Sequence, residues 1–312
     1  LVKNNVKFED FLNRKNFLNG IVTLMALGGS TNAIIHLLAI AGRTKTKISL
    51  DDFNKISETT PVLANLKPAG SKLMEDFHYA GGVSALLKNI KHLLNVETMS
   101  VSGQNLKDIL DQAENFDKQV IRSPSNPVND KGSIAIIKGS LAPDGAVIKV
   151  AAASKKFLNH VGKAIVFNNA KELSDNIDDP NLDVNENSII VLRNQGPIGG
   201  QGMPESGFLP IPKKLLDKGV RDIVRISDAR MSGTAYGTII LHVSPESYIG
   251  GPLSLVKTGD KIKLSLENKS LDLLVDNKTL FERKSSLKAT KHNSEYDRGY
   301  GWLYKEHILQ AN

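Results

Sequence analysis

The 312-residue chain contains no cysteine. This excludes disulfides and any thiolate metal site built from its own residues. Aromatic residues are also scarce, at 5% with a single tryptophan, which leaves few platforms on which nucleic-acid bases can stack. Only nine of the 40 basic residues are arginine, and the lysines are scattered, with clusters such as Lys155-Lys156 and Lys213-Lys214 just two long. The formal charge of +7 and pI of about 9.3 therefore read as a solvated lysine-rich surface, with no nucleic-acid partner expected. No apolar run approaches the roughly 18 residues that span a bilayer. The longest, Ala33 to Ala41, is short and interrupted by His36. The amino terminus has no apolar core followed by small residues, so no secretory signal is read there and a cytoplasmic setting is expected. It also lacks an initiating methionine, as expected of a piece of something longer or of a processed product.

What is present suffices for two domains, each with its own core. Hydrophobic content of 40% with 23% charged residues is ordinary for a globular protein. Residues 8–92 read mostly as helix, because Phe17, Ile21, Leu24 and Met25, then Ile34, Ile35 and Leu38, recur at helical spacing. Gly28-Gly29-Ser30-Thr31-Asn32 breaks the pattern, with Ser30, Thr31 or Asn32 placed to cap a helix over 33–41. A second break at Gly81-Gly82 precedes a helix expected over 84–94. His36 and His242, both in apolar surroundings, read as core imidazoles.

From about Asn95 the texture changes to short β-branched runs separated by Gly, Pro, Asn and Asp. Runs at 120–121, 134–138, 146–150, 164–167, 188–193, 222–226, 237–243, 261–264 and 271–275 predict a barrel or sandwich, with helical inserts at 105–115 and 212–218 and a closing helix near 302–309.

Two segments are dense in groups that can carry chemistry. In 193–205, Arg193-Asn194-Gln195-Gly196-Pro197-Ile198-Gly199-Gly200-Gln201-Gly202-Met203-Pro204-Glu205, four glycines in seven residues let the backbone turn tightly and carry Glu205 to a strand-end rim. A carboxylate so held suits a hard cation such as Mg²⁺, although exposed loop glutamates are common. The loop has neither the Gly-Lys-Ser/Thr ending nor the spacing of a nucleotide site. In 225–246, Ser232 lies between Met231 and Gly233, flanked by the apolar runs 223–224 and 239–241. A hydroxyl in a tight turn between buried strands is where a nucleophile or base sits, although the segment taken alone reads first as an ordinary Ser/Gly loop. No GxSxG elbow and no HExxH spacing is present.

Taken in order, GGSTNAIIHLLAIAGR, FHYAGGVSALL, GSLAPDGAVIKVAA, RNQGPIGGQGMPE, SDARMSGTAYGTIILHVSPE and GGPLSLVKTGD resemble the dihydroxy-acid and sugar-acid dehydratase family, in register from about residue 17 to the end. ARMSGTAYGT and the terminal LYKEHILQA resemble its aldonic-acid branch, the arabonate and xylonate dehydratases. The resemblance implies an enzyme, a hydro-lyase carrying a 2Fe-2S cluster and Mg²⁺. Such an enzyme takes water from a 2,3-dihydroxy carboxylate to give a 2-keto-3-deoxy acid. By motif position Glu205 matches the Mg²⁺-ligating glutamate, Ser232 the serine base and Thr234 a substrate contact. A serine beside a cation can act as a base for the reason that metal-bound water ionises near pH ~7. Ile198 and Gln201 stand where the family commonly has lysine and proline.

The resemblance also implies that the cluster cysteines and the other Mg²⁺ ligands belong to an amino-terminal region absent here. The chain is therefore expected to be the carboxy-terminal half of such an enzyme, inactive alone. The expected fold class is α/β plus β, as a helical remnant of an α/β iron–sulfur domain (1–97), a β-barrel-like domain (98–280) and a polar tail with a closing helix (281–312). The expected partners are a small-molecule polyhydroxy acid and, at full length, further copies of the same chain, with no membrane. Two alternatives stand beside this one, a dihydroxy-acid dehydratase of branched-chain amino-acid biosynthesis and a non-catalytic binding barrel.

Overall fold

In the computed structural model, residues 2–203, 205, 209–231, 236–287 and 296–312 are described. They form two compact units, Leu1–Ala135 and Ile136–Asn312.

The first unit is helical, with α1 (Arg14–Leu27), α2 (Asn32–Arg43), α3 (Leu50–Thr59), α4 (Met74–Tyr79), α5 (Gly82–Asn89) and α6 (Leu106–Gln112). The expected breaks recur, since α1 stops at Gly28 and α5 starts after Gly81. The capping at α2 differs in detail. Thr31 holds the cap position without a side-chain bond, while Ser30 Oγ accepts from the Asn32 amide at 3.2 Å. Val22, Ala26, Leu63, Phe77, Leu86, Ile90 and Leu110 share one core with Val120 and Ile121. The 120–121 run, read from sequence as a barrel strand, instead joins this core, with Ile121 bridging Ala64. His36 is exposed on α2 and is no core imidazole in this unit, because the apolar stripe of the helix passes beside it.

The second unit is a closed barrel whose strands run β1 (Ala135–Gly139), β2 (Ala142–Ile148), β3 (Asn159–Phe167), β4 (Ile189–Leu192), β5 (Val224–Ser227), β6 (Ile239–Ser244), β7 (Lys261–Ser265) and β8 (Ser270–Leu273). Their spatial order is β1-β2-β6-β5-β4-β3-β7-β8. The topology is mixed. Strands β3, β4, β5 and β6 are parallel to their neighbours, whereas β2 and β7 run antiparallel beside them.

Parallel pairs need crossovers. Two of these carry helices, α7 (Ala170–Asn176) between β3 and β4, and α8 (Lys213–Leu216) between β4 and β5. Helix α7 went unpredicted from sequence although its start is marked, because Asn169 caps it by accepting from the Glu172 amide at 2.8 Å. Leu173, Ile177 and Leu215 then lie against Ile165, Ile190, Leu192, Ile239 and Leu241 on one face of the sheet. Two further helices, α9 (Asn277–Ser286) and α10 (Gly299–His307), follow the barrel. No helix among the described residues is long and apolar enough to cross a membrane.

Candidate active site

The parallel register brings the ends of three strands together. Phe167, Leu192 and Ser227 are aligned across β3, β4 and β5, so Asn168, Arg193 and Asp228 follow side by side at one rim. The carboxyl ends of parallel strands are where open α/β sheets and barrels hold ligands, and both dense segments of the sequence leave from this rim.

Asp228 is fully buried and organises it. Its Oδ1 accepts from the Gln195 amide at 2.9 Å, and its Oδ2 from the amides of Ser247 at 2.9 Å and Asn194 at 3.2 Å and from Ser247 Oγ at 2.6 Å. Burial pushes the carboxyl above its ordinary value, and these donors pull it back. Glu246, just past β6, is 1% exposed and plays the same part lower in the loop. It accepts from the amides of Ile198 and Gly199, both at 2.9 Å, and from Gln310 Nε2 at 2.8 Å. Its own carboxyl is likewise raised by burial.

Gly196 explains one of the four loop glycines, for a Cβ there would lie 2.6 Å from Glu246 Oε2. The carboxy terminus closes over the same loop. Gln310 Oε1 accepts from the Glu246 amide at 2.8 Å, and Tyr304 Oη donates to the Pro197 carbonyl at 3.0 Å. Arg193 braces the rim, donating to Asn168 Oδ1 and to the carbonyls of Ser254 and Val256.

At the opposite end of the same crossovers lies a buried ion pair. Arg225 Nη2 stands 3.3 Å from Asp222 Oδ1, with both side chains under a tenth exposed. Arg225 Nη1 donates to the Leu209 carbonyl and Nη2 to the Tyr236 carbonyl, each at 2.9 Å. Asp222 also accepts from the Thr238 amide at 2.8 Å and from Thr238 Oγ1 at 2.7 Å.

Of the residues singled out from sequence, Glu205 is exposed on the glycine-rich segment, while Ser232 and Thr234 lie outside the described residues. The segments carrying them are tied at both ends by the contacts above. Among the described residues no group of three His, Cys, Asp or Glu could hold a metal ion. Glu205 is therefore at most one ligand of a cation site. With no cysteine, the chain has nothing that fits a 2Fe-2S cluster as a thiolate ligand. Sequence reasoning gave no role to Asp228, Glu246, Asp222, Arg225 or Gln310. The signal available for the acids was position, since each lies within a residue or two of an apolar strand, where a carboxylate must find donors.

The chain is similar to known proteins over its whole length. The chain is 45% identical over 305 residues to the 6-deoxy-6-sulfo-D-gluconate dehydratase of Pseudomonas putida, covering 97% of the chain and 52% of that protein. It is 43% identical over 314 residues to the L-arabinonate dehydratase of Rhizobium leguminosarum, covering 100% and 54% respectively. Identity falls to 38% over 318 residues with the dihydroxy-acid dehydratase of Saccharolobus islandicus, at 100% and 55%. The chain thus spans about half the length of the curated relatives it matches. Residues 1–109 match the amino-terminal and residues 119–312 the carboxy-terminal model of one family, and the chain belongs to the dihydroxy-acid/6-phosphogluconate dehydratase family.

Proposed function

We propose that the chain is the carboxy-terminal part of a sugar-acid dehydratase, a hydro-lyase that converts an aldonate to its 2-keto-3-deoxy acid. The observation that carries this reading is the pair of segments, 193–209 and 228–238, that leave adjacent parallel strands and are tied down by buried charged groups on both sides of Glu205 and Ser232. The sugar-acid branch is favoured by the higher identity to relatives named for sugar acids.

In this reading Ser232 takes the C2 proton, Thr234 contacts the substrate, and the C3 hydroxyl leaves as water before the enol tautomerises to the ketone. Glu205 is the residue of this chain that we assign to Mg²⁺, which when bound supplies a positive charge to the substrate oxygens. The remaining Mg²⁺ ligands and every ligand of a 2Fe-2S cluster are assigned to the part of the relatives' length that this chain does not span. The helical unit would then belong to an α/β cluster-binding domain. A cytoplasmic homo-oligomer acting on a small polyhydroxy acid completes the proposal.

The test is formation of 2-keto-3-deoxy acid by the intact holoprotein offered L-arabonate, D-xylonate, D-gluconate and 2,3-dihydroxyisovalerate in parallel. Turnover of one or more aldonates is expected. Turnover of dihydroxyisovalerate alone would replace this reading with the branched-chain one, and no turnover of any substrate by cluster-loaded protein would leave a binding barrel.

A further inference from the structure

We propose that Arg225 is a positioning residue that fixes the Leu209 and Tyr236 carbonyls, four residues beyond Glu205 and Ser232 in sequence, relative to each other. The inference rests on the dehydratase reading of Glu205 and Ser232. Arg225 lies on β5, with Cα partners Ile190 on β4 and Ile239 on β6, on the face that α7 and α8 cover. A cation is costly among those apolar side chains, and burial accordingly lowers its pKa while Asp222 opposes the shift. The guanidinium occupies a position where a leucine or isoleucine would match its neighbours.

Its contacts show what it does there. Two nitrogens of one rigid plane reach two different crossovers, Nη1 to the Leu209 carbonyl and Nη2 to the Tyr236 carbonyl. Leu209 stands four residues after Glu205, and Tyr236 four residues after Ser232. Neither carbonyl belongs to a strand. The planar fork therefore sets the spacing of the Leu209 and Tyr236 carbonyls as one unit, which a flexible single-nitrogen ammonium cannot do.

Gly237 supplies an independent sign that this packing is specific. It has φ +111, and a Cβ there would lie 2.1 Å from Arg225 Nη2 and 2.4 Å from Asp222 Oδ1. The backbone that brings the Ser232 segment back to β6 is thus pressed directly onto the ion pair. Asp222 in turn holds Thr238, the next residue, through both its amide and its hydroxyl. Misplacement of a reacting group by about 1 Å costs on the order of 10²-fold in rate, so loss of the fork should appear in turnover before it appears in substrate binding.

The experiment compares Arg225→Lys, Arg225→Met and Ser232→Ala in the intact holoprotein, measuring kcat and KM on an aldonate, the thermal midpoint, and Mg²⁺ affinity by calorimetry without substrate. Arg225→Lys keeps the cation beside Asp222 but has one nitrogen where two are used. The expected result is kcat lowered at least tenfold with KM within about twofold, Mg²⁺ bound several-fold more weakly, and a folded protein; Arg225→Met should lose more of each. Turnover surviving in Ser232→Ala would overturn the assignment of Ser232 as the base, on which this inference rests. If Ser232→Ala is inactive while Arg225→Lys keeps wild-type kcat and Mg²⁺ affinity, the positioning role is refuted. It is refuted also if the loss of kcat only tracks a loss of folded protein, or if neither Arg225 variant folds, since the residue would then serve the fold alone.

Discussion

Asp228→Asn tests the carboxylate hub with little change of shape. The amide keeps one acceptor oxygen and replaces the other by an NH₂ donor. If the NH₂ takes the Oδ1 position it faces the Gln195 N–H, and if it takes the Oδ2 position it faces the Ser247 N–H. Asn194 is less exposed to either choice because its amide also donates to Ser247 Oγ at 2.6 Å. Each orientation thus orphans one backbone donor, at a cost of about 1–3 kcal/mol, and relief of the buried charge offsets part of it. A net loss of about 1 kcal/mol at pH 7 follows, which for a urea slope near 2 kcal/mol/M lowers the midpoint by about 0.5 M. Trp302, the single tryptophan, lies on α10 two residues from Tyr304, so its fluorescence together with far-UV circular dichroism follows this part of the barrel.

The pH dependence sharpens the same test. Burial raises the Asp228 carboxyl above its ordinary 3.8, so the folded chain holds this proton to higher pH than the unfolded chain does. Stability from this group is therefore complete below pH 3.8 and is lost as pH rises through the folded value. The protonated form finds a ready acceptor. Its O–H can donate to Ser247 Oγ at 2.6 Å while the Ser247 hydroxyl turns to Asn194 Oδ1 at 3.0 Å. The carboxamide of the variant has no such proton to release, so the gap between wild type and Asp228→Asn should narrow from pH 4.5 to pH 7.5. An unchanged midpoint at pH 7, or a gap that widens with pH, would refute the account of the hub.

Gln310→Ala removes both bonds to Glu246, and a loss of about 1–2 kcal/mol is expected in urea unfolding monitored by Trp302, with barrel circular dichroism retained up to the transition. Gly196→Ala places a methyl against the Glu246 carboxylate. Proteolysis within 195–205 should accelerate, and full protection would show that the loop has room. Lys149 follows β2 and is 9% exposed, and burial lowers its ammonium to about 8. The unfolded chain then binds the proton more tightly between pH 8 and 10.5, so stability should rise with pH across that window. Its resonance in methylated protein should titrate near 8, and a midpoint near 10 would contradict the burial.

The strands were legible because β-branched runs between turn residues are a local signal. Every expected run but 120–121 has become a strand, and that one failed because two apolar residues say nothing about which core they enter. Less was legible in the parallel order. Helix α7 has a short apolar face of Leu173 and Ile177 behind an Asn cap, too little periodicity to stand out from the Asn- and Asp-rich sequence around it, and without it β3 and β4 look like neighbours in a meander.

The site was legible in composition but not in support. Glycine spacing marks 193–205 as a candidate loop from sequence alone. What holds that loop in place is contributed from residues 33 to 107 positions away, Asp228 to Gln195, Glu246 to Ile198, Ser247 to Asn194 and Tyr304 to Pro197. These contacts exist only once the register aligns Leu192 with Ser227 and closes the barrel. A buried acid at a strand end is an energetic debt in the sequence, and at Asp228 and Glu246 the fold settles it by making the acid an acceptor for backbone amides of the glycine-rich crossover. That exchange gives the loop a defined shape without requiring side chains of its own, leaving its outward groups for a ligand. The same logic predicts where a second-site suppressor of Asp228→Asn should arise. A substitution that removes the orphaned donor, such as a proline at Gln195 where the amide is no longer needed, should recover part of the lost midpoint, whereas new surface charges should recover none.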